Sequence, residues 1–293
     1  MADDPETLAC PVCGRPSRPY CTRPGHGRTW PYRRCPACGH GYVSVRPTPA
    51  LLEEFYRHDE HQYLSAHPLE GAEGAHDCRA IVKAVCSLTG ERGASLDVGS
   101  GCGHMSYHLA KQGFRPVMLD LDLRAQLAAV ALPGAFFHLG SFEEFSYPRP
   151  FSAIVMSQVL EHALDPLAWL RRAHTLLSPT GILAIALPNF AGIYRLLGSG
   201  DPFLVPPIHL NHFTAGSLRR ALTQTGFEVL RVRSSSQVWL APWTRGFDMR
   251  RTAGWLWNGA SRALDPTPCG IILRVYARLA APRSRKSNPR GPA

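Results

Sequence analysis

The chain has 293 residues, of which 45% are hydrophobic and 18% are charged, and its formal net charge is +10. This composition indicates a soluble globular protein with one core of ordinary size and room for a small extra module. The N-terminus lacks a signal-peptide pattern and no apolar run approaches the about 20 residues that span a bilayer, so we expect a cytoplasmic protein without a transmembrane segment.

The N-terminal segment contains two matching CxxCG units, "CPVCG" and "CPACG". Their cysteines are Cys10, Cys13, Cys35 and Cys38. In a reducing compartment cysteines are read as metal ligands before disulfides, and two such units offer four thiolates at tetrahedral corners. The spacing predicts a structural zinc ribbon over residues 1–45, closed to water, with Cys21 and His26 as alternative ligands.

Residues 46–92 are predicted to form a helical connector or lid. Apolar residues recur at helical spacing from Leu51 to Tyr56, which indicates a short helix leaving the ribbon. Residues 65–78 are rich in Ala, Gly, His and Glu and are expected to be a mobile connector.

Residues 93–280 alternate apolar strands with amphipathic helices. The predicted strands are "ASLDVG", "PVMLD", "AFFHLG", "SAIVMSQVL", "GILAIAL", about Phe227–Arg233 and about Ile271–Ala277. The predicted helices lie near Met105–Gln112, Arg124–Val130 and Pro166–Leu177. This alternation predicts an α/β domain in which a largely parallel sheet is covered by helices on both faces, with ligands bound at the carboxyl ends of its central strands.

The first strand of this domain is followed by a glycine-rich turn, "LDVGSGCGH". Gly99, Gly101 and Gly103 let the backbone approach a ligand at a helix N-terminus, although NAD and FAD sites use a similar device. Asp97, just before the glycines, can receive the cation of an amino-acid moiety through water or backbone. Asp120 ends the second strand, where a carboxylate can accept both ribose hydroxyls.

These motifs, together with "LGSFEEF", "FSAIVMSQVLEHALDPLAWLRRAHTLLSPTGILAIALPN" and "HLNHFTAGSLRRALTQTGFEVLRV", resemble a class I S-adenosylmethionine-dependent methyltransferase over about residues 80–235. The cysteine-rich prefix is similar to the subset with an N-terminal zinc ribbon, which includes natural-product sugar C-methyltransferases. The resemblance implies a Rossmann-like, mostly parallel sheet with an antiparallel last strand. It also implies S-adenosylmethionine as cofactor, Zn²⁺ as structural metal, and methyl transfer to carbon or oxygen of a small-molecule acceptor in specialised metabolism.

The resemblance assigns parts of the cofactor to individual residues. It places the methionine part over Gly99 to Gly103, the ribose on Asp120, and the adenine beside Ser141 and Phe142, although the family often has Asp where Ser141 stands. The implied cofactor-binding set is Asp97, Gly99, Ser100, Gly101, Gly103, Asp120, Leu121, Ser141, Phe142 and Ser157.

Three residues are candidates for catalysis. His162 follows the fourth strand of the domain, His209 lies on the loop after the fifth, and Tyr63 resembles a tyrosine that folds over the acceptor. In the ribbon-bearing subset a Glu-His pair carries the general base; His209 takes the place of that histidine, and Ile208 replaces the Glu. The alternatives are a backbone-bonded loop residue for His209, a supporting residue for His162, and a packing aromatic for Tyr63.

Residues 236–268 interleave tryptophans with arginines and are predicted to form a helical cap. The cap is interpreted as a lid over the acceptor, as a homodimer or membrane-surface face, or as an RNA-contacting face. Residues 281–293 are expected to be a disordered tail. Two other functions remain open: an RNA-binding base methyltransferase, for which the ribbon offers few arginines, and a methyltransferase-fold protein that binds the cofactor without transferring a methyl group.

Overall fold

A computed structural model describes residues 7–48, 51–52, 69, 71–235 and 269–281. The strands in chain order are β1 (Arg18–Gly25), β2 (Arg28–Arg34), β3 (Gly41–Val43), β4 (Ala94–Val98), β5 (Arg115–Asp120), β6 (Phe136–Leu139), β7 (Phe151–Ser157), β8 (Leu177–Pro188), β9 (Asn211–His212), β10 (Phe227–Ser235) and β11 (Ile272–Leu279). The helices are α1 (His76–Leu88), α2 (His104–Lys111), α3 (Gln126–Val130), α4 (Pro166–Leu176) and α5 (Ala215–Gln224). Tyr63, the predicted cap at 236–268 and the tail from residue 282 onward lie outside the described residues.

The larger sheet has seven strands in the order β6-β5-β4-β7-β8-β11-β10. The five strands from β6 to β8 are parallel, whereas β11 is antiparallel to both of its neighbours. The predicted α/β class is therefore confirmed, including the antiparallel last strand. The strand order reverses direction at β4, whose neighbours are β5 and β7, and this reversal opens a crevice at the carboxyl ends of the parallel strands.

Two apolar layers hold the larger sheet between its helices. Along β7, Ile154 and Met156 belong to one buried cluster, and Ala153 and Val155 belong to another. Successive side chains of a strand point to opposite faces, so a fully apolar strand indicates a sheet covered on both sides. β7 therefore lies at the centre of the fold, and the turn that follows it opens at the crevice.

The smaller sheet joins the N-terminal module to the segment that follows β8. Its strand order is β1-β2-β3-β9, and Gly41 and Tyr42 of β3 pair with His212 and Asn211 of β9. The N-terminal module and this segment also share a buried apolar cluster, which consists of Trp30, Tyr32, Val43, Phe190, Leu204 and Leu210. The cysteine-rich module therefore shares one sheet and one apolar cluster with the loop that carries His209.

Side-chain caps stabilise the first turns of α4 and α5. Asp165 Oδ1 accepts hydrogen bonds from the amides of Leu167 and Ala168 at 3.0 and 2.9 Å, and Pro166 occupies the first turn of α4. Thr214 and Ser217 form a reciprocal capping box at the start of α5. Within the part of the chain that the structure describes, no helix has both the length and the apolar character needed to cross a membrane.

We expect Gly41→Ala to destabilise the joined sheet. A Cβ at Gly41 meets the Cε1 atom of Phe190 at 2.5 Å, and the Phe190 ring is itself buried. Overpacking of this kind costs about 1–3 kcal/mol. Gly90→Ala is the matched control, because a Cβ there meets nothing within 4 Å. Urea unfolding checks the prediction, and equal free energies of unfolding for the two variants would contradict it.

Candidate active site

The four CxxCG cysteines form a compact group. The Sγ atoms of Cys10 and Cys38 are 3.6 Å apart. Those of Cys13 and Cys35 are 3.5 Å apart, and all four lie within 4.8 Å of one another. In each unit the amide of the following glycine donates to the carbonyl of the first cysteine, at 2.8 and 2.9 Å. A tetrahedral zinc with bonds of about 2.3 Å needs sulfur atoms about 3.8 Å apart, so the arrangement fits that metal.

The glycine-rich turn lies between β4 and α2, at the crevice. Gly99, Gly101 and Gly103 have φ angles of 67°, 48° and 77°, in the left-handed region that favours glycine. A Cβ at Gly103 lies 2.8 Å from the Cβ of Ala128, whereas a Cβ at Gly101 meets nothing within 4 Å. The backbone at Gly101 therefore borders open space, and a ligand can approach it closely.

Asp120 ends β5 beside this turn. Its Oδ2 atom accepts a hydrogen bond from the Gly101 amide at 2.8 Å, and its Oδ1 atom accepts one from the Asp122 amide at 2.9 Å. Burial raises the pKa of Asp120, and these hydrogen bonds oppose the shift. The Asp122 side chain instead caps the next turn and pairs with Arg124. Asp120 is thus the acid that contacts the glycine turn.

Asp97 is buried beneath the turn, with 2% of its surface exposed. Its Oδ2 atom accepts hydrogen bonds from the Ser106 amide at 3.1 Å and the Ser106 hydroxyl at 2.7 Å. Burial raises the pKa of Asp97 to about 7, although the Ser106 bonds oppose the shift. Asp97 therefore fixes the start of α2, and its partner Ser106 was not anticipated from the sequence.

The other residues predicted to contact the cofactor lie at the strand ends around the crevice. Leu121 follows β5 and is 61% exposed. Ser141 follows β6 and accepts a hydrogen bond from the Glu144 amide, whereas Phe142 is buried against Trp169. Ser100 is buried in the glycine turn and Ser157 ends β7. Ser100, Leu121, Ser141 and Ser157 thus lie at or just after the carboxyl ends of β4, β5, β6 and β7, whereas the phenyl ring of Phe142 belongs to the core.

Sequence reasoning missed the residue after Ser157. Gln158 has a φ of 59°, although it is not a glycine, and its side chain is exposed. Its amide donates to the carbonyl of Ala186 at 2.8 Å, which holds this backbone at the end of β7. Left-handed non-glycine residues are strained and concentrate at functional sites. The local sequence "MSQVLEH" contains no signal for this conformation.

His162 and His209 come together on the β7 and β8 side of the crevice. Their rings are 5.1 Å apart between centroids, and a carboxylate oxygen of Glu161 joins them in a group whose ligand atoms all lie within 4.8 Å of one another. Both histidines are half-buried, whereas Glu161 is 1% exposed. Glu161 was not predicted as a site residue. The only feature of the sequence that points to it is its position directly before the candidate histidine His162.

Backbone hydrogen bonds hold these three residues in place. The Leu210 amide donates to the carbonyl of Glu161 at 2.9 Å, and Asn211 Nδ2 donates to the carbonyl of Ala163 at 2.6 Å. His209 Nδ1 lies 2.8 Å from the carbonyl of Phe203. This bond makes Nδ1 the protonated nitrogen and leaves the lone pair of the His209 imidazole on Nε2.

The electrostatics of the group follow from its burial. Burial raises the pKa of Glu161 to about 8, and neither carboxylate oxygen has a hydrogen-bond partner among the described residues. Burial and the neighbouring His209 lower the pKa of His162 to about 3, and burial also lowers the pKa of His209. Both imidazoles are therefore neutral near pH 7.

Comparison with known proteins gives one family and several relatives. A family model described as a methyltransferase domain matches residues 71–232, more than half of the chain. The ubiquinone biosynthesis O-methyltransferase of Xanthomonas campestris pv. campestris (strain B100) is 32% identical over 117 residues, which cover 37% of this chain and 47% of that protein. Its namesake from Xylella fastidiosa (strain M23) is 36% identical over 112 residues, covering 35% and 44%. Each match spans less than half of the relative.

Solved structures with the same fold are more distant in sequence. The Burkholderia thailandensis 1,6-didemethyltoxoflavin-N1-methyltransferase, solved with S-adenosylhomocysteine, has a TM-score of 0.52 at 16% identity and covers 90% of this chain and 99% of its own. An S-adenosylmethionine-dependent methyltransferase from Mesorhizobium loti has a TM-score of 0.51 at 21% identity, covering 71% and 100%. At these identities the likeness establishes the fold alone.

We expect Asp97→Asn to change how stability depends on pH. Between about pH 4, where an unfolded Asp loses its proton, and about pH 7, the folded state holds the Asp97 proton and the unfolded state does not. The free energy of unfolding of the wild type should therefore fall by about 2–4 kcal/mol relative to the variant as the pH rises through this window. Denaturant titrations at several pH values measure it, and parallel pH curves for the two proteins would refute the prediction.

Proposed function

Because the chain belongs to the class I methyltransferase-domain family, we propose that it binds S-adenosylmethionine at the carboxyl ends of β4, β5 and β6. The methyl group of this cofactor is transferred to a small-molecule acceptor. The observation that carries this proposal is the contact between Asp120 and Gly101. It puts an acid at the end of β5 against a left-handed glycine turn whose backbone borders open space. A site of this shape suits a ligand with ribose hydroxyls and an amino-acid part.

Different residues of the crevice hold different parts of the cofactor. When bound, S-adenosylmethionine supplies an electrophilic methyl group on a sulfonium. The turn from Gly99 to Gly103 accommodates the methionine part, Asp120 accepts the ribose hydroxyls, and Leu121 and Ser141 border the adenine. The buried Asp97 keeps α2 and the turn in place, so that little reorganisation is needed on binding.

His162 and His209 are proposed to form the acceptor side of the same crevice. Methyl transfer needs an acceptor aligned with the methyl group and, where the acceptor carries a proton, a group to remove it. The lone pair on Nε2 of His209 suits that task, with His162 as the alternative base. The curated relatives are named O-methyltransferases, which favours oxygen over carbon as the atom methylated. An acceptor from specialised metabolism is the class favoured by the N-terminal ribbon.

The N-terminal cysteine group is proposed to hold one structural Zn²⁺. Four thiolates fill a tetrahedral shell and leave no position for water, so the metal stabilises the module and takes no part in the reaction. The sulfur separations of 3.5 and 3.6 Å support this assignment. Since β3 of this module pairs with β9, the metal also helps to position the loop that carries His209.

The cofactor assignment predicts a weaker complex for Asp120→Asn. The substitution keeps the size of the side chain but removes the charged acceptor, so S-adenosylmethionine affinity should fall by about 1–3 kcal/mol. Asp122→Asn is the matched control, because the Asp122 side chain pairs with Arg124 instead of the glycine turn. Calorimetry on both variants checks the assignment, and unchanged affinity in a folded Asp120→Asn protein would remove Asp120 from the ribose site.

The acceptor assignment predicts a loss of turnover for His209→Ala. With an acceptor found by screening phenols and sugar derivatives for release of S-adenosylhomocysteine, turnover should fall by roughly 10²–10⁴-fold. Cofactor affinity should stay near that of the wild type, since the loop lies on the acceptor side. His162→Ala is measured beside it. Near-normal turnover in His209→Ala, combined with its loss in His162→Ala, would move the base to His162.

A further inference from the structure

Glu161 is a buried acid whose carboxyl group has no side-chain partner among the described residues. It is 1% exposed, and neither oxygen has a hydrogen-bond partner among the described residues, although its own carbonyl accepts bonds from Leu210 and Asn211. Burying a carboxylate without a partner costs several kcal/mol. Asp97, buried to a similar degree, has two hydrogen bonds from Ser106. Among the described residues, therefore, no side chain donates a hydrogen bond to the Glu161 carboxyl group.

The two nearest functional side chains are metal-ligating types in suitable positions. One ligand atom from each of Glu161, His162 and His209 lies within 4.8 Å of the others. A cation bound at about 2.1 Å from each ligand brings such atoms to about 3–4 Å from one another, which requires only small side-chain movements. Two imidazoles and one carboxylate are the donors that zinc and non-haem iron sites use.

The surroundings of His209 match those of a metal ligand. Metal-binding histidines donate their second ring N–H to a carbonyl or carboxylate, which fixes the tautomer and the direction of the lone pair. His209 Nδ1 has this bond, to the carbonyl of Phe203 at 2.8 Å. The backbone bond from Leu210 to Glu161 then fixes the separation between the loop and the turn that carry the ligands.

We propose that Glu161, His162 and His209 form a second metal site, which binds a divalent transition-metal cation such as Zn²⁺, Fe²⁺ or Co²⁺. The site is distinct from the cysteine group, which offers sulfur donors only. Three protein ligands leave coordination positions open, and both histidines keep some solvent exposure, whereas Glu161 is buried. A bound cation would also give the buried Glu161 carboxyl group a charged partner.

The site determines what kind of acceptor the protein takes, an inference that rests on the proposed function. A cation at the acceptor side favours a substrate with a hydroxyl or carbonyl oxygen that can enter an open coordination position. A lone pair that binds a cation does not also take a proton. In a metal-bound protein His162 and His209 would therefore act as ligands and not as bases; the cation would lower the pKa of a coordinated acceptor hydroxyl, and the proton would pass to solvent.

The test is a Co²⁺ titration of the full chain with its cysteine group already loaded with zinc. We expect one further equivalent of Co²⁺ to bind, with visible absorption but without a thiolate-to-cobalt charge-transfer band. Glu161→Gln, which nearly preserves side-chain shape, and His209→Gln should each weaken this binding more than tenfold. His138→Asn is the matched control, because this exposed histidine lies on β6, the outermost strand at the other edge of the sheet.

S-adenosylmethionine calorimetry on every variant separates this proposal from the proposed function. A folded wild type that takes no cobalt beyond the zinc-loaded cysteines would overturn the metal site, even if it binds the cofactor. Cobalt binding that survives in both Glu161→Gln and His209→Gln would overturn it as well. Cobalt binding lost in those variants but retained in His138→Asn supports the site, whether or not S-adenosylmethionine binds.

Discussion

Asn211 bonds to both parts of the molecule, and the geometry of the acceptor side depends on it. Its backbone pairs with Tyr42 in the sheet of the cysteine-rich module. Its side-chain amide donates to the carbonyls of Ala163 and Glu161, at 2.6 and 3.4 Å, and Asn211 is almost fully buried. Because a buried amide that loses its acceptors costs about 1–3 kcal/mol, the turn after β7 and the loop after β8 keep a fixed separation. The proximity of His162 to His209 is a consequence of that separation.

Different interactions therefore hold the two sides of the crevice in place. On the proposed cofactor side, Asp120 accepts a hydrogen bond from Gly101 in the glycine turn and Asp97 accepts hydrogen bonds from Ser106 in α2, all within one α/β unit. On the proposed acceptor side, the loop that carries His209 is held from outside that unit, by a sheet that begins in the N-terminal module. The proposed structural metal would thus influence how an acceptor is held, while the proposed cofactor side keeps its own support.

Local signals in the sequence were sufficient for much of the fold. The strands and helices of the α/β domain follow hydrophobic periodicity, and the glycine turn and the CxxCG units follow from short-range backbone and ligand chemistry. The pairing of β3 with β9 joins residues about 170 positions apart through backbone atoms, and a two-residue strand has no periodicity to detect. The contact between Glu161 and His209 likewise depends on pairing between residues that are far apart in the sequence. The strained backbone of Gln158 depends on packing around β7, which no dipeptide motif encodes.

Amide hydrogen exchange measures most directly whether the N-terminal module holds the acceptor side. Exchange is followed in peptides covering the ribbon strands, the segment from 205 to 214, and β5, for the zinc-loaded protein and for a Cys10→Ser, Cys13→Ser variant. If β3 and Asn211 support the loop, loss of the metal should speed exchange in the ribbon and in 205–214 and leave β5 unchanged. Faster exchange in the ribbon with full protection retained from 205 to 214 would contradict that dependence.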